Sequence, residues 1–325
     1  MILICGGAGY IGSHLCYALH QKGFQTVVFD NLSTGHPSFV KWSPLFKGDL
    51  KNKTDINACF KQYPIKAVMH LCAHSLVSES MKDPLAYYNN NVKNTLNLLE
   101  TMLEYKISYF IFSSSAAVYG TPNKLPISET HPVQPISPYG QTKAMVEQIL
   151  HDFSKSYALH YCALLYFNAC GAAPEANIGE RHEPESHLIP NLITHHLNNK
   201  PSTIFGKNHT TKDGTCIRDY IHVKDLASAH IKALTYIQDH KTSAIFNLGT
   251  ETGYSILEII KEIEMQCKTT LSYSYAPKRE GDPPSLIASY KKAKEYLNWT
   301  PKHTLSETIK DALYWHQIEQ KRKPL

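Results

Sequence analysis

No stretch of this 325-residue chain is apolar for long enough to span a bilayer, and its hydrophobic runs are short and broken by polar residues, so no membrane-spanning helix is expected. None of its eight cysteines forms a C-x-x-C pair. Cys5, Cys72 and Cys162 fall in apolar segments, where a free thiol behaves as a small hydrophobe. Met1 leads straight into Ile2-Leu3-Ile4-Cys5, with no charged and apolar leader before it. Together these absences predict a reduced, cytoplasmic chain without disulfides. Charge is scarce in clusters: the net +5 is dispersed except for Lys321-Arg322-Lys323 at the end, so nucleic acid is not an expected partner. A mildly basic surface suits a small anionic substrate. There is no internal repeat and no low-complexity tract.

What is present alternates. Short apolar runs at Ile2–Cys5, Gln25–Phe29, Ala67–Leu71, Tyr109–Phe112 and Tyr161–Tyr166 read as strands. Between them Ile11–Gln21, Lys53–Gln62, Leu85–Glu104 and Lys143–Tyr157 carry helical spacing, with Val146, Ile149, Leu150 and Phe153 on one face of the last. Strands separated by helices predict an α/β fold built on a doubly wound parallel sheet of Rossmann type. Past Asn168 the texture changes. A Gly-, Pro-, Glu- and His-rich connection over 171–190 leads to helices at Leu188–Asn198, Lys224–Ile237, Ile256–Gln266 and Leu305–Gln317 and a strand at Ala244–Leu248. This predicts a smaller C-terminal α/β substrate lobe, so the expected division is 1–168 and 169–325, with the chain able to cross between the two.

The first strand runs into Gly6-Gly7-Ala8-Gly9-Tyr10-Ile11-Gly12 and then a helix. Glycine serves a tight turn, close approach to a pyrophosphate and helix-on-strand packing, and the helix N-terminus offers free N–H groups to the anion. The pattern is weak alone, but here it joins a first strand to a helix, the context that gives it meaning. The second strand ends at Asp30, an acid placed to accept from ribose hydroxyls and to repel a 2′-phosphate, which favours NAD over NADP.

A third group sits further on. Tyr109–Phe112 continues into Ser113-Ser114-Ser115, and strand ends of this kind face the cofactor crevice. Serines there are otherwise ordinary turn residues. Tyr139 and Lys143 lie four apart in Ser-Pro-Tyr-Gly-Gln-Thr-Lys, on one face of a helix, so an ammonium stands beside a phenol. The spacing does not decide the matter, because Tyr220/Lys224 and Tyr290/Lys294 repeat it without serines or a glycine turn for company. Those two pairs are read as structural.

The motifs GGAGYIG, DNLSTG, GDL, SSSAAVYG, SPYGQTK, YFN, DGTCIRDYIHV and REGD resemble the extended short-chain dehydrogenase/reductases, and within them the epimerases of UDP-sugars, over nearly the whole chain. The resemblance implies a tightly bound NAD and interconversion of UDP-glucose and UDP-galactose. Tyr139 would take the proton of the sugar 4-hydroxyl as hydride leaves C4, the 4-keto sugar would turn over, and hydride would return to its other face. Lys143, with the nicotinamide charge, would lower the Tyr139 pKa from its usual value of about 10 and hold the nicotinamide ribose, while Ser115 would position the hydroxyl. By the same resemblance Gly6, Gly9, Tyr10, Ile11, Gly12, Asp30, Asn31, Leu32, Ser33, Thr34, Gly35, Asp49, Leu50, Leu71, Cys72, Ala73, His74, Ser75, Asn91, Ser113, Tyr166 and Phe167 join Tyr139 and Lys143 in the cofactor site. Asn168, His187, Leu188, Arg218, Arg279, Asp282 and Leu286, with Ser115 and Tyr139, would hold the UDP-sugar; arginine suits its pyrophosphate. Members are generally dimers, here through the faces of 85–104 and 143–157.

Some positions separate this chain from its neighbours. A sugar-nucleotide 4,6-dehydratase carries an acid just after the strand-end serine, where this chain has Ala116 and Ala117. Cys5 replaces the family's usual threonine, and Ser75 stands where some members place a lysine near the nicotinamide. Leu286 falls where small residues admit a 2-N-acetyl group and tyrosine excludes it, which favours glucose and galactose. Neither His70/His74 nor His195/His196 completes a four-ligand metal set, so no metal is expected. Two alternatives remain: an epimerase of N-acetylated or uronate UDP-sugars, and a catalytically silent NAD-binding module, against which an intact Ser115/Tyr139/Lys143 set weighs.

Overall fold

A computed structural model describes residues 1–279 and 283–322. In its first half strands and helices alternate: β1 (Ile2–Cys5), α1 (Tyr10–Gln21), β2 (Thr26–Asp30), β3 (Leu45–Lys47), α2 (Lys53–Gln62) and β4 (Ala67–His70). Two short helices, α3 (Val77–Lys82) and α4 (Pro84–Tyr87), precede α5 (Asn94–Glu104), then come β5 (Tyr109–Ser115), α6 (Pro138–Ser156) and β6 (His160–Tyr166). The second half contains β7 (Asn168–Cys170), α7 (Leu188–Leu197), β8 (Ser202–Phe205), β9 (Ile217–His222), α8 (Val223–His240) and β10 (Ala244–Leu248). It ends with β11 (Gly253–Ser255), α9 (Ile256–Cys267), β12 (Tyr273–Ala276), β13 (Ser285–Leu286), α10 (Lys291–Leu297) and α11 (Leu305–Arg322).

The main sheet has seven parallel strands in the order β10-β6-β5-β4-β1-β2-β3. Strand order reverses between β1 and β4, the switch point at which doubly wound sheets open a crevice at their C-terminal edge. Both faces are covered, so the central strands are buried without alternation; β1, β2 and β4 are buried at every residue. Leu15, Leu19, Leu226, Leu234 and Ile237 pack one face through α1 and α8. Ile56, Leu98, Met102, Val146 and Leu150 pack the other through α2, α5 and α6.

A smaller lobe is built around β9, which pairs with β7, β11 and β13. Its own core joins α7, α9 and α11 through Ile189, Leu192, Ile193, Ile259, Ile263 and Ile309. The strand at Ala244–Leu248, expected in this lobe, instead extends the main sheet as β10 beside β6, and α8 packs against α1. The chain thus returns to the first layer after entering the second. The reason lies in pairing: β6 would otherwise expose an apolar edge of unpaired backbone groups.

The helix expected at 85–104 is interrupted by a π-helical turn at Tyr88–Lys93 between α4 and α5. The helical spacing over 143–157 extends back to Pro138, so Tyr139 and Lys143 share one helix as expected. The Ser137 side chain accepts from the Gly140 amide, and proline occupies the first turn, where its missing N–H costs nothing. Among the described residues no helix is long and apolar enough to cross a membrane.

Candidate active site

The glycine turn lies at the switch point. Gly6 has φ +83°, and a Cβ there would stand 3.0 Å from the Cys72 amide nitrogen, so the ends of β1 and β4 touch. A Cβ on Gly12 would lie 2.1 Å from the Gly6 oxygen, which fixes glycine by the chain's own packing. Gly9 is different: a Cβ there would meet only the Gly6 oxygen, at 3.4 Å. Among the described residues nothing else comes within 4 Å of that position, so this side of the turn is open.

Asp30 is buried at the end of β2, and burial raises its carboxyl pKa against the pull of two backbone donors. Its Oδ2 accepts from Ala8 N at 3.0 Å and its Oδ1 from Leu32 N at 2.8 Å. Each oxygen keeps a free lone-pair direction for a hydroxyl. Asn31 caps the following turn by accepting from Ser33 N and donates to Asp49 Oδ2 at 3.2 Å. Leu32 adopts φ +62°, and Gly35 passes within van der Waals reach of Ala8 and Asp30, so the Asp30–Gly35 loop folds over the glycine turn.

Other cofactor candidates are held from the opposite side. Asn91 in the π-helical turn clamps His74: its Oδ1 accepts from His74 N at 2.8 Å and its Nδ2 donates to His74 O at 3.0 Å and to Thr142 Oγ1 at 3.0 Å. Asn91 therefore fixes the Leu71–Ser75 segment against α6, using its amide on the protein itself. Tyr10 is also engaged, its hydroxyl donating to Gly171 O at 2.7 Å, which ties the glycine-turn helix to the second lobe.

The reactive cluster forms where α6 meets β5. Gly140 permits this approach, since a Cβ there would lie 2.4 Å from Ala117 O. Burial holds the Tyr139 phenol above its ordinary pKa, and the neighbouring Ser115 hydroxyl pulls it back. Lys143 is 3% exposed; its Nζ donates to Ser113 O at 2.7 Å and sits 4.9 Å above the Phe112 ring. Burial lowers its pKa to about 8, opposed by Cys72 and Glu147. The Lys143 Nζ is 5.9 Å from the centre of the Tyr139 ring and committed to Ser113 O, and the phenol is raised, not lowered. Ser113 also accepts a hydrogen bond from the Tyr166 hydroxyl.

One residue of this cluster escaped the sequence reading. Glu147 stands one turn beyond Lys143, is 8% exposed, and accepts a hydrogen bond from Ser114. Burial raises its pKa to about 7, with Ser114 and Lys143 pulling it back. The signal was present: Tyr139, Lys143 and Glu147 repeat the four-residue step along one helix face.

The proposed sugar-nucleotide residues are less tightly grouped. β13 pairs with β9 so that Leu286 lies beside Arg218, and β7 places Asn168 beside Tyr220, its Nδ2 donating to Asp219 O at 3.0 Å. Arg279 lies with its guanidinium 3.9 Å from the centre of the Phe205 ring, an aromatic partner not anticipated. Leu188 opens α7, and His187 before it pairs with Glu180. Asp282 lies outside the described residues. Of the rival pairs, Lys224 is taken up by Glu175 and Asp311, and Tyr290 and Lys294 lie at the start of α10.

A glycine turn at the switch point, an acid at the end of β2 and a Ser-Tyr-Lys cluster at the end of β5 define a dinucleotide-dependent short-chain dehydrogenase/reductase. The profile described as the NAD dependent epimerase/dehydratase family matches residues 2–249. The chain belongs to that family. It is 45% identical over 316 residues to the UDP-glucose 4-epimerase of Rhizobium meliloti (strain 1021), covering 97% of this chain and 96% of the relative. Among solved structures, one of a UDP-glucose 4-epimerase superposes with a TM-score of 0.96 at 44% identity, covering 100% of this chain and 99% of the other. The Brucella ovis UDP-glucose 4-epimerase in complex with NAD gives 0.93 at 41% identity, with 96% and 97% covered.

Proposed function

We propose that this chain interconverts UDP-galactose and UDP-glucose, using a tightly held NAD. The observation that supports this reading best is the grouping of Ser115 and Tyr139 beside a buried Lys143 where α6 meets the C-terminal end of β5. The glycine turn and Asp30 fit the dinucleotide: Gly9 leaves its outer side open and each Asp30 oxygen has an acceptor site to spare. NAD supplies the hydride acceptor, and later donor, at C4. Tyr139 takes the proton from the 4-hydroxyl and returns it to the C4 oxygen once the keto sugar has turned and presented its other face to the hydride. Ser115 aligns the hydroxyl, and Lys143, once turned toward the nicotinamide ribose, stabilises the phenolate.

Ala116 is buried and Ala117 lies against the start of α6, so no carboxyl stands at the dehydratase position. Arg218, Arg279, Asn168, His187 and Leu188 contact the nucleotide, and Leu286 narrows the space at C2. A homodimer through the layer of α3, α4 and α6 is part of this proposal, supported by the exposed Val77, Met81, Leu85 and Met145; a mass of one chain by light scattering would reject it. A cytoplasmic location completes the reading.

The purified protein, incubated with UDP-galactose and no added NAD, is expected to accumulate UDP-glucose to equilibrium. Absence of conversion with or without NAD would reject the reading. Turnover of UDP-N-acetylglucosamine at a comparable rate would reject the role given to Leu286.

A further inference from the structure

The connection between β7 and α7 carries a group of side chains of which only His187 belongs to the proposed UDP-sugar site. Glu180, His182, Glu185 and His187 each offer one donor atom, and these four atoms all lie within 4.8 Å of one another. We propose that they form a binding site for one divalent cation of the zinc type, fastening this loop to the start of α7.

The geometry supports a common centre. His182 Nδ1 is 3.4 Å from Glu180 Oε1 and 3.5 Å from Glu185 Oε1, and His187 Nδ1 reaches the same Glu180 oxygen. A tetrahedral ion with legs of about 2.1 Å separates its ligands by about 3.4 Å; the His182 distances match this, while His187 hydrogen-bonds Glu180 directly and draws back to admit the ion. The two imidazole rings stand edge to face, 5.1 Å between centroids and 80° between planes.

The surroundings hold the donors in place, and with no ion bound the two imidazoles themselves pair with the carboxylates. Glu180 is 3% exposed, and its backbone oxygen accepts from Trp315 Nε1 at 2.8 Å. Arg181, the adjacent cation, turns away to Glu319 and to the rings of Phe39 and Trp315. The Ser186 and His187 amides donate to Glu185 Oε1 at 2.8 and 2.9 Å, orienting that carboxylate as outer partners orient metal ligands. Two carboxylates and two imidazoles that shed their protons on binding balance a doubly charged ion, and a set of two nitrogens and two oxygens suits zinc. The expectation of no metal rested on His70/His74 and His195/His196. The fold uses those otherwise: His70 pairs with Thr95 and His195 with Ser202.

The test uses untagged full-length protein, treated with a chelator and dialysed, titrated with zinc chloride. One equivalent is expected to bind with a dissociation constant below 1 μM, about the strength of a four-ligand site, and to raise Tm. His182→Ala and Glu185→Gln should each weaken zinc at least a hundredfold while leaving the NAD content of the protein unchanged. No binding at 100 μM zinc would overturn the proposal. Binding of equal strength in both variants would overturn it too, since the ion would then sit on other histidines.

Discussion

Replacing Glu147 by glutamine removes one buried charge while keeping the shape and the acceptor for Ser114. Burial holds this carboxyl at about 7 against an ordinary value of 4.5. At about 1.4 kcal/mol per pH unit, that difference corresponds to about 3 kcal/mol. Near pH 4.5 the folded chain keeps the proton, so the wild-type side chain is as neutral as glutamine and the two proteins should match. As pH rises from 4.5 through 7, the unfolded chain gives up a proton that the folded chain retains, and the wild type loses stability across that window. Glutamine does not titrate. The variant should therefore gain on the wild type with pH, reaching as much as about 3 kcal/mol at pH 8, less about 1 kcal/mol for the lost attraction to Lys143. Urea denaturation of both proteins at pH 5.5, 7 and 8, with saturating NAD, measures the difference directly, because titrations elsewhere cancel. A variant less stable than the wild type by more than about 1 kcal/mol at pH 8 would refute the reasoning, as would a difference that ignores pH. Glu147 also holds the Lys143 pKa up, so turnover near pH 7 should fall several-fold in the variant and recover at lower pH.

Further outcomes follow from the same geometry. Tyr139→Phe should keep the fold by circular dichroism, change KM only slightly and lower kcat by about 10²–10⁴, the usual worth of a positioned acid-base; a variant keeping a tenth of the activity would remove Tyr139 from that role. Asp30→Ala leaves the amides of Ala8 and Leu32 without their acceptor, so NAD should be lost on gel filtration and the preference over NADP should shrink. Gly12→Ala places a methyl 2.1 Å from the Gly6 oxygen and should cost about 1–3 kcal/mol of stability together with the bound nucleotide, read by thermal melting and by absorbance of the released cofactor.

Much of the first lobe was legible because its signals are local. The α2 bounds, the β1 strand and the strand at Ala244–Leu248 follow from short apolar runs and helical spacing. The sheet to which Ala244–Leu248 belongs did not follow, since strand order depends on contacts far apart in the chain. The start of α6 shows in Ser137 and a first-turn proline, which put Tyr139 and Lys143 on one helix face, although Pro138, Tyr139 and Gly140 break the apolar period that begins at 143. The π-helical turn leaves no mark in the apolar pattern; it shows only in the backbone that aims Asn91 at His74. The strands around β9 are two to six residues long, too short for alternation to register.

The site divides in the same way. The Gly6–Gly12 turn and Asp30 could be placed from spacing, because each is tied to the end of one strand. The state of Tyr139 could not, because it depends on where Lys143 points and on how deeply both are buried. Glu180, His182, Glu185 and His187 share neither helical nor strand spacing, and only the folded loop brings their donor atoms together.

The central claim is that C4 of the sugar is oxidised and reduced by a hydride that never leaves the protein. Conversion of UDP-galactose carrying deuterium at C4, followed by NMR in ordinary water without added NAD, tests it most directly. The account predicts UDP-glucose with the deuterium retained at C4. Loss of the label to solvent would contradict it, since the configuration would then have been changed by removing a proton from carbon.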